Sequence, residues 1–278
     1  MAVHFPRRPA PPSGGRRTRV ILGLALTLAA LLTVAPAGAA SRKPHAPASA
    51  PASAPAAAPP AAVHLPGPAT LRYQVKGRIS GVPYSANAQL QWRAQDGRYE
   101  ATWSVGLPLL GTQTQSSVGA VTGAGLAPER YTERGRRERV ADFDAASRLI
   151  RFSAGRPDAA LEPGAQDRLS VTLQLGALLA AAPKHYPSGA QITLQTAGVR
   201  GAEPWVWQVQ ADETLPLAGR RLPSVHLLRQ PRKNGDMRVD LWLARTLDYL
   251  PVRLRLEQDN GDVVDQQLQS VDQAPASR

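Results

Sequence analysis

The side chains of this sequence that are most densely spaced for binding chemistry form a short basic run. Seven consecutive positions hold four arginines and two glutamates: Glu133, Arg134, Arg136, Arg137, Glu138 and Arg139. Guanidinium groups bind phosphate oxygens through paired hydrogen bonds, so the four arginines could hold the phosphates of an anionic lipid or lipopolysaccharide. Because two glutamates share the run, a solvated hairpin tip is the competing interpretation.

Serine, histidine and aspartate residues also occur at the spacing that a hydrolytic site needs. Ser224 and His226 share one face of a predicted strand, and Asp142 and Asp144 share a face of another. A serine nucleophile normally lies on a glycine-flanked turn, and Ser224 has none. Asp144 leads into Ala145-Ala146-Ser147, where an aspartate ordinarily caps a turn. We therefore expect a protein that is not an enzyme, with an uncharacterised hydrolase as an alternative.

The motifs of metal and cofactor sites are missing from the sequence. The chain has no cysteine, which excludes disulfides, thiolate ligands and a lipidated N-terminal cysteine. His185 and His226 lack the spacing of a zinc site, and Asp259-Asn260-Gly261-Asp262 has no downstream glutamate to complete a calcium loop. The glycines between 119 and 125 lack the lysine of a phosphate-binding loop. We expect no cofactor and no metal.

Five tryptophans could line a ligand groove: Trp92, Trp103, Trp205, Trp207 and Trp242. Four of them fall in step with apolar neighbours at period two, which is typical of core packing. Trp242 instead alternates against Leu241 and Leu243 and shares its face with Asp240. We expect Trp242 to lie on the opposite side of the sheet, partly exposed, as a candidate ligand contact.

Most of the elements that must position these residues are strands. Apolar and polar residues alternate over 71–79, 84–92 and 99–105, which is typical of antiparallel strands with one dry and one wet face. The C-terminal third repeats this pattern around Asn234-Gly235 and Asn260-Gly261, dipeptides that supply the positive φ angles of tight hairpins. These patterns predict about ten to twelve strands.

One segment departs from the two-residue period. Residues 169–182 place Leu175 and Leu179 at helical spacing with other apolar residues, and Pro183 ends the run. The sequence therefore predicts a mostly β fold, a curved antiparallel sheet or half-open β-barrel with one buried helix. This helix would act as a plug or lid, with Leu175 and Leu179 as candidate ligand contacts.

Residues 1–40 have the pattern of an export signal. Basic residues at 16–19 precede an uncharged run from Val20 to Val34, and Ala37-Gly38-Ala39 offers the small residues that signal peptidase recognises. We expect an exported, periplasmic protein. The uncharged run is also just long enough to span a bilayer, so an uncleaved inner-membrane anchor is the alternative, and it would provide the protein's membrane association.

The rest of the chain divides by composition. Residues 41–68 are almost wholly Ala, Pro and Ser and predict a disordered tether, 69–272 predict a single β-rich domain, and 273–278 predict a disordered tail. Five arginines in the first twenty residues contribute heavily to the net charge of +12. A nucleic-acid binder usually has a much denser basic surface, so we expect no nucleic-acid partner.

Short stretches of the domain resemble a known family. The stretches are Gly164-Ala165-Gln166-Asp167-Arg168-Leu169-Ser170, Leu175-Gly176-Ala177-Leu178-Leu179, Tyr249-Leu250-Pro251-Val252-Arg253 and Leu126-Ala127-Pro128-Glu129-Arg130-Tyr131. Over about 71–271 the chain resembles the exported proteobacterial family known as domain of unknown function 3108. The resemblance implies a periplasmic β-rich domain without an established activity, so no site residue is carried over. A looser architectural similarity is to periplasmic lipoprotein-carrier β-clams, which hold acyl chains.

Taken together, these features predict a non-enzymatic binding or carrier module of the cell envelope for an apolar or amphiphilic ligand. Its partner would be a lipid, an acyl chain or an envelope polymer. The alternative is a tethered scaffolding protein that contacts anionic polymers or lipids through its arginines, and a hydrolase is the second alternative.

Overall fold

The computed structural model describes residues 63–107, 111–153, 155–229, 231 and 235–274. The predicted signal or anchor, most of the predicted tether, Asn234 of one predicted turn and residues 275–278 lie outside the described residues. Within the described part of the chain, no helix has both the length and the apolar character needed to cross a membrane.

Strands make up most of the described fold. They are β1 (Ala69–Ile79), β2 (Val82–Gln95), β3 (Arg98–Leu107), β4 (Gly111–Thr122), β5 (Gly125–Arg134), β6 (Glu138–Asp144), β7 (Leu149–Phe152), β8 (Arg156–Ala160), β9 (Gln166–Asp167), β10 (Gln191–Gly198), β11 (Gly201–Val209), β12 (Glu213–Leu217), β13 (Arg220–Arg229), β14 (Arg238–Ala244), β15 (Leu250–Glu257) and β16 (Val263–Gln273). The helix α1 spans Ser170–Ala181, one residue shorter at each end than predicted. Two short 3-10 helices lie at Pro183–His185 and Arg245–Leu247.

All of these strands belong to one sheet. Their order is β8-β7-β6-β5-β4-β3-β2-β1-β16-β15-β14-β13-β11-β10-β9, and β12 pairs with β13 beside this path. The short contact between β9 and β10 is parallel, whereas the long pairings such as β1 with β2 and β1 with β16 are antiparallel. The two end strands, β8 and β9, do not pair, so the sheet is not closed into a barrel. The predicted curved antiparallel sheet with one helix is confirmed, and its described strands outnumber the predicted ten to twelve.

The two-residue period predicted for the first strands is confirmed. In β1, Leu71, Tyr73 and Val75 are buried, whereas Arg72 and Lys76 are exposed. Burying each large apolar side chain contributes roughly 1.5–3 kcal/mol, so the dry face stabilises the pairing. A slip of one residue would turn this whole face toward water, and the register is therefore fixed by the alternation itself.

The buried apolar residues form two clusters. The larger one draws most of its residues from β1, β2, β3, β5, β6 and β7, and it also contains Leu173 of α1. The second, which we call the helix–sheet cluster, consists of Val171, Leu175, Leu179, Ile192, Trp205, Trp207, Val209, Val225, Leu227, Val239, Leu241 and Leu243. The helix α1 thus lies between the two clusters, which explains why it is apolar around most of its circumference.

Candidate functional site

The helix α1 is anchored at its N-terminal end by the buried carboxylate of Asp167. One carboxylate oxygen accepts the backbone N–H groups of Leu169 and Ser170, both at 2.8 Å, and the Ser117 hydroxyl of β4 donates to the other oxygen. These bonds cap the start of the helix and join it to the sheet. Burial raises the pKa of Asp167 to about 6, because desolvation outweighs the hydrogen bonds that favour the charged form.

Two glutamines extend this anchor to the start of β5. The Gln166 amide donates to the Leu126 carbonyl at 2.7 Å, and the Gln174 amide donates to the Ala124 carbonyl at 2.9 Å. Gln174 Oε1 in turn accepts the Leu126 backbone N–H at 2.8 Å. Because a Cβ at Gly125 would lie 2.2 Å from Gln174 Oε1, only glycine leaves room for this side chain. Residues 164–170, one of the stretches that resemble the family, therefore contribute to a structural anchor.

The C-terminal end of α1 is held differently. Among the described residues, no side-chain hydrogen bond joins 175–190 to the sheet, and Leu178 and Ala180 are partly exposed. Gly176 is buried so closely against the β14–β15 connection that a Cβ there would lie 2.7 Å from the Tyr249 carbonyl oxygen. The N-terminal end of the helix is thus fixed by polar bonds, and the C-terminal half is held by apolar packing.

The predicted ligand contacts Leu175 and Leu179 lie on the face of α1 that covers the sheet. They are 0% and 2% exposed and belong to the helix–sheet cluster. A ligand could reach them only after the C-terminal half of the helix had moved away from the sheet. Their role in binding stays a prediction.

Trp205 and Trp207 of β11 belong to the same cluster and differ in their polar contacts. Trp205 Nε1 donates to Glu203 Oε1 at 3.0 Å, and the Arg229 guanidinium carbon lies 4.4 Å from its ring centroid. Trp207 is 0% exposed, yet its Nε1 has no hydrogen-bond acceptor among the described residues. A buried N–H group without an acceptor costs about 1–3 kcal/mol. The two-residue period of the sequence predicted that Trp207 is buried, but nothing in the sequence indicates that its N–H lacks an acceptor.

Trp242 faces away from the helix–sheet cluster, as its alternation with Leu241 and Leu243 predicted. The predicted partial exposure is wrong, since Trp242 is 5% exposed. The His226 ring of β13 stacks on it with ring centroids 4.4 Å apart, and the Arg253 guanidinium carbon of β15 lies 4.6 Å from its ring centroid. Both neighbouring strands therefore cover the indole, and the exposed surface expected of a ligand contact is missing.

His226 contacts carboxylates and does not form a pair with Ser224. Its Nδ1 lies 3.0 Å from Glu213 Oε1, and its Nε2 lies 2.8 Å from Asp240 Oδ1. Ser224 is fully buried, and its hydroxyl donates to the Leu222 carbonyl at 3.0 Å. The serine–histidine arrangement considered for a hydrolase is therefore not formed in this structure.

The paired aspartates of β6 bind neighbouring arginines. Asp144 forms an ion pair with Arg151 and accepts the Ser147 backbone N–H at 3.0 Å, so it caps the turn as expected. Asp142 lies 3.4 Å from the Arg130 guanidinium of β5. Within the described part of the chain, no cluster of three or more His, Cys, Asp or Glu side chains could hold a metal ion.

The four predicted arginines lie at the β5–β6 hairpin and have different partners. Arg134 Nε donates to Glu138 Oε2 at 2.8 Å. Arg139 lies opposite the buried Glu133, whose pKa is raised by burial. Arg136 and Arg137 are exposed and form no ion pair with another described residue. Two of the four guanidinium groups are thus available to an anionic partner.

One open groove lies apart from the helix. It has a volume of about 970 Å³ and lies against the sheet near β1, β2, β3 and the end of β16. Its lining is mixed: Ala69, Trp92 and Val271 lie beside Thr70, Gln91, Thr102 and the ion pair between Arg93 and Glu100. Because this groove is open to solvent, it would cover an acyl chain less completely than the space between α1 and the sheet would.

Comparisons with solved structures show what the fold is similar to. A β-barrel-like protein of domain of unknown function DUF1849 from Brucella abortus matches with a TM-score of 0.54 and 11% identity, over 77% of this chain and 100% of that chain. The MucA/MucB complex of Pseudomonas aeruginosa matches with a TM-score of 0.34 and 14% identity, over 76% of this chain and 53% of that chain. A putative outer membrane lipoprotein-sorting protein domain from Vibrio parahaemolyticus matches with a TM-score of 0.29 and 7% identity, over 76% of this chain and 87% of that chain.

At these identities, the similarity to the Brucella protein concerns the fold, and the two lower scores support no functional conclusion. No curated protein matches the sequence. The model of the family described as protein of unknown function, DUF3108, matches residues 72–268, which comprise nearly the whole β domain. The chain therefore belongs to the DUF3108 family of proteins of unknown function.

Proposed function

We propose that this protein is a non-enzymatic binding or carrier module of the cell envelope that holds an amphiphilic ligand between α1 and the sheet. The observation that supports it is the asymmetric attachment of α1, with buried polar bonds at Asp167 and apolar packing at Leu175 and Leu179. In this proposal the export signal in 1–40 places the domain in the periplasm, free or anchored to the inner membrane.

In the proposed cycle, α1 swings about its N-terminal anchor and uncovers the sheet. Lifting Leu175 and Leu179 exposes two buried side chains, which costs about 3–6 kcal/mol at roughly 1.5–3 kcal/mol each. The open state is therefore rarely populated without a ligand. An acyl chain that takes the place of the helix regains about 0.8 kcal/mol per buried CH₂, so a chain needs about four to eight buried carbons to offset the opening.

Native mass spectrometry of the full chain purified from envelopes tests this proposal, first for co-purifying lipid and then with added butanoyl, octanoyl and lauroyl glycerol. We expect lauroyl glycerol to bind and butanoyl glycerol not to bind. Hydrogen exchange should accelerate at 176–181 when the ligand is bound, whereas 170–173 stay protected. Absence of bound lipid, together with no binding of any of the three esters, would overturn the proposal.

A second candidate function is contact with anionic envelope lipids or polymers at the β5–β6 hairpin. The observation that favours it is the exposure of Arg136 and Arg137 without an ion-pair partner among the described residues. Replacing both with Ala should weaken binding to vesicles that contain phosphatidylglycerol, and added salt should weaken wild-type binding. Arg72→Ala with Arg93→Ala is the matched control, because both arginines are exposed but paired with carboxylates. Equal binding by the two double variants would reject this function.

A further inference from the structure

We infer that the indole N–H of Trp207 is the polar recognition point of the helix–sheet cluster and that the ligand is an acyl ester whose carbonyl oxygen accepts this N–H. The inference rests on the proposed function and deepens it by naming the chemical class of the ligand. It starts from a donor that is fully buried in an apolar cluster and has no acceptor in the described structure.

The position of Trp207 suits such a role. Trp207 lies within β11, opposite Ile192 of β10 and Arg229 of β13. Its side chain belongs to the same cluster as Leu175 and Leu179, the residues that α1 lifts away in the proposed opening. A ligand that replaces the helix would therefore meet an apolar surface with one unsatisfied hydrogen-bond donor.

Of the two tryptophans in the helix–sheet cluster, only Trp207 has an N–H without an acceptor among the described residues; the Trp242 N–H, which is also buried without a described acceptor, lies outside this cluster. Trp205 lies two residues earlier on the same strand face, and its Nε1 donates to Glu203 Oε1 at 3.0 Å. Because buried polar groups are nearly always hydrogen-bonded, a buried donor without a partner in a native structure calls for an explanation. An acceptor supplied by the ligand provides one.

The surroundings of Trp207 favour a neutral acceptor over a carboxylate. The cation opposite it on β13, Arg229, already donates to the Met237 carbonyl at 2.8 Å and to Glu203 Oε1 at 3.3 Å. A fatty-acid carboxylate buried here would have its charge poorly compensated, which is strongly unfavourable. A hydroxyl would bring its own donor into an apolar site. An ester carbonyl accepts one hydrogen bond and adds no donor.

A matched pair of ligands and a matched pair of variants test the inference. Lauroyl glycerol and dodecyl glyceryl ether have the same head group and nearly the same chain, but only the ester has the carbonyl. Satisfying a buried donor corresponds to roughly a ten- to hundredfold change in Kd, so the wild-type protein should prefer the ester by about that factor. Calorimetric titration of the full-length protein measures both constants.

Trp207→Phe keeps an aromatic ring in place and removes the N–H. We expect it to abolish the preference for the ester while leaving the Kd for the ether nearly unchanged. Trp205→Phe should keep the preference, because the Trp205 N–H is bound within the protein. Equal binding of ester and ether by the wild-type protein would overturn the inference and leave the proposed function intact. Binding of neither ligand would instead overturn the proposed function.

Discussion

The imidazole of His226 and the indole of Trp242 lie almost parallel, with ring centroids 4.4 Å apart and 8° between their planes. Asp240 and Glu213 hold the two ring nitrogens of His226 from the strands on either side. Arg253 lies over Trp242 and also donates to Asp265 at 2.9 Å. Trp242 is not part of the helix–sheet cluster, so this polar column on β12–β16 stabilises the sheet without taking part in the proposed opening.

Replacing Asp240 with Asn should destabilise this column. The carboxylate accepts hydrogen bonds from His226 Nε2 and Arg238 Nε, both at 2.8 Å, and its side chain is 3% exposed. Because hydrogen bonds to charged groups contribute about 1.5–3 kcal/mol each, we expect the free energy of unfolding to fall by about 2 kcal/mol. Urea unfolding at neutral pH measures this change.

Glu213→Gln is the control for that experiment. Glu213 contacts the other ring nitrogen of His226, but its side chain is 42% exposed. Exposed pairs contribute little, so the loss should stay below about 1 kcal/mol. If Glu213→Gln lowered the free energy of unfolding as much as Asp240→Asn does, burial would not determine how strongly the two carboxylates bind His226.

Asp240 should also make the protein sensitive to strong acid. Desolvation raises its pKa, but the hydrogen bonds from His226 and Arg238 outweigh that effect and lower the pKa from 3.8 to about 2. Since the folded-state pKa lies below the unfolded one, the stabilisation is present above pH 3.8 and is lost as the pH falls through about 2. A series of urea titrations between about pH 5 and 2 should show a steeper decline for the wild type than for Asp240→Asn.

The titration of Asp167 should change the stability of the protein in the opposite direction, over a higher pH range. Burial raises its pKa from 3.8 to about 6, so the folded state binds this proton more tightly than the unfolded state. Stability should therefore fall as the pH rises from about 4 to 6 and then level off. Asp167→Asn should flatten this slope, because the Asn side-chain oxygen can still accept the N–H groups at the helix start. Identical slopes in the two proteins would contradict the assignment.

The elements with regular hydrophobic periods could be predicted from the sequence. The strands β1, β2 and β3 each have one apolar face, and α1 was predicted to within one residue at each end. The Asn260-Gly261 turn between β15 and β16 was also predicted; Gly261 has the expected positive φ of 83°, whereas Asn260 does not have the positive φ that a tight two-residue hairpin would give it. In these segments, the period of the apolar residues in the sequence matches the period of the buried residues in the structure.

The middle of the fold could not be predicted in this way. The strand β4 faces the interior with Ser117, which donates to the buried Asp167, so its apolar alternation is missing. Both residues are polar, and only the helix start that they cap explains their burial. The burial of Trp242 likewise depends on His226 and Arg253, which lie on other strands. These contacts arise from the topology, which the sequence pattern does not specify.

Gly176→Ala should destabilise the protein, although alanine ordinarily favours a helix by about 1 kcal/mol over glycine. The new Cβ would lie 2.7 Å from the Tyr249 carbonyl oxygen and 3.4 Å from Tyr249 Cβ. Tyr249 has a φ of 57°, so its backbone is already held in the left-handed region and has little freedom to move. We expect a net loss of about 1–3 kcal/mol, measured by thermal unfolding.

The control is Gly123→Ala in the β4–β5 turn, where an added Cβ meets no heavy atom within 4 Å. Its effect should stay within about 0.5 kcal/mol. Because Gly176 lies in the half of α1 that is held by packing, Gly176→Ala should also speed hydrogen exchange at 176–181 more than at 170–173. A variant more stable than the wild type would show that α1 does not press against Tyr249, and the proposed lid would lose its point of closure.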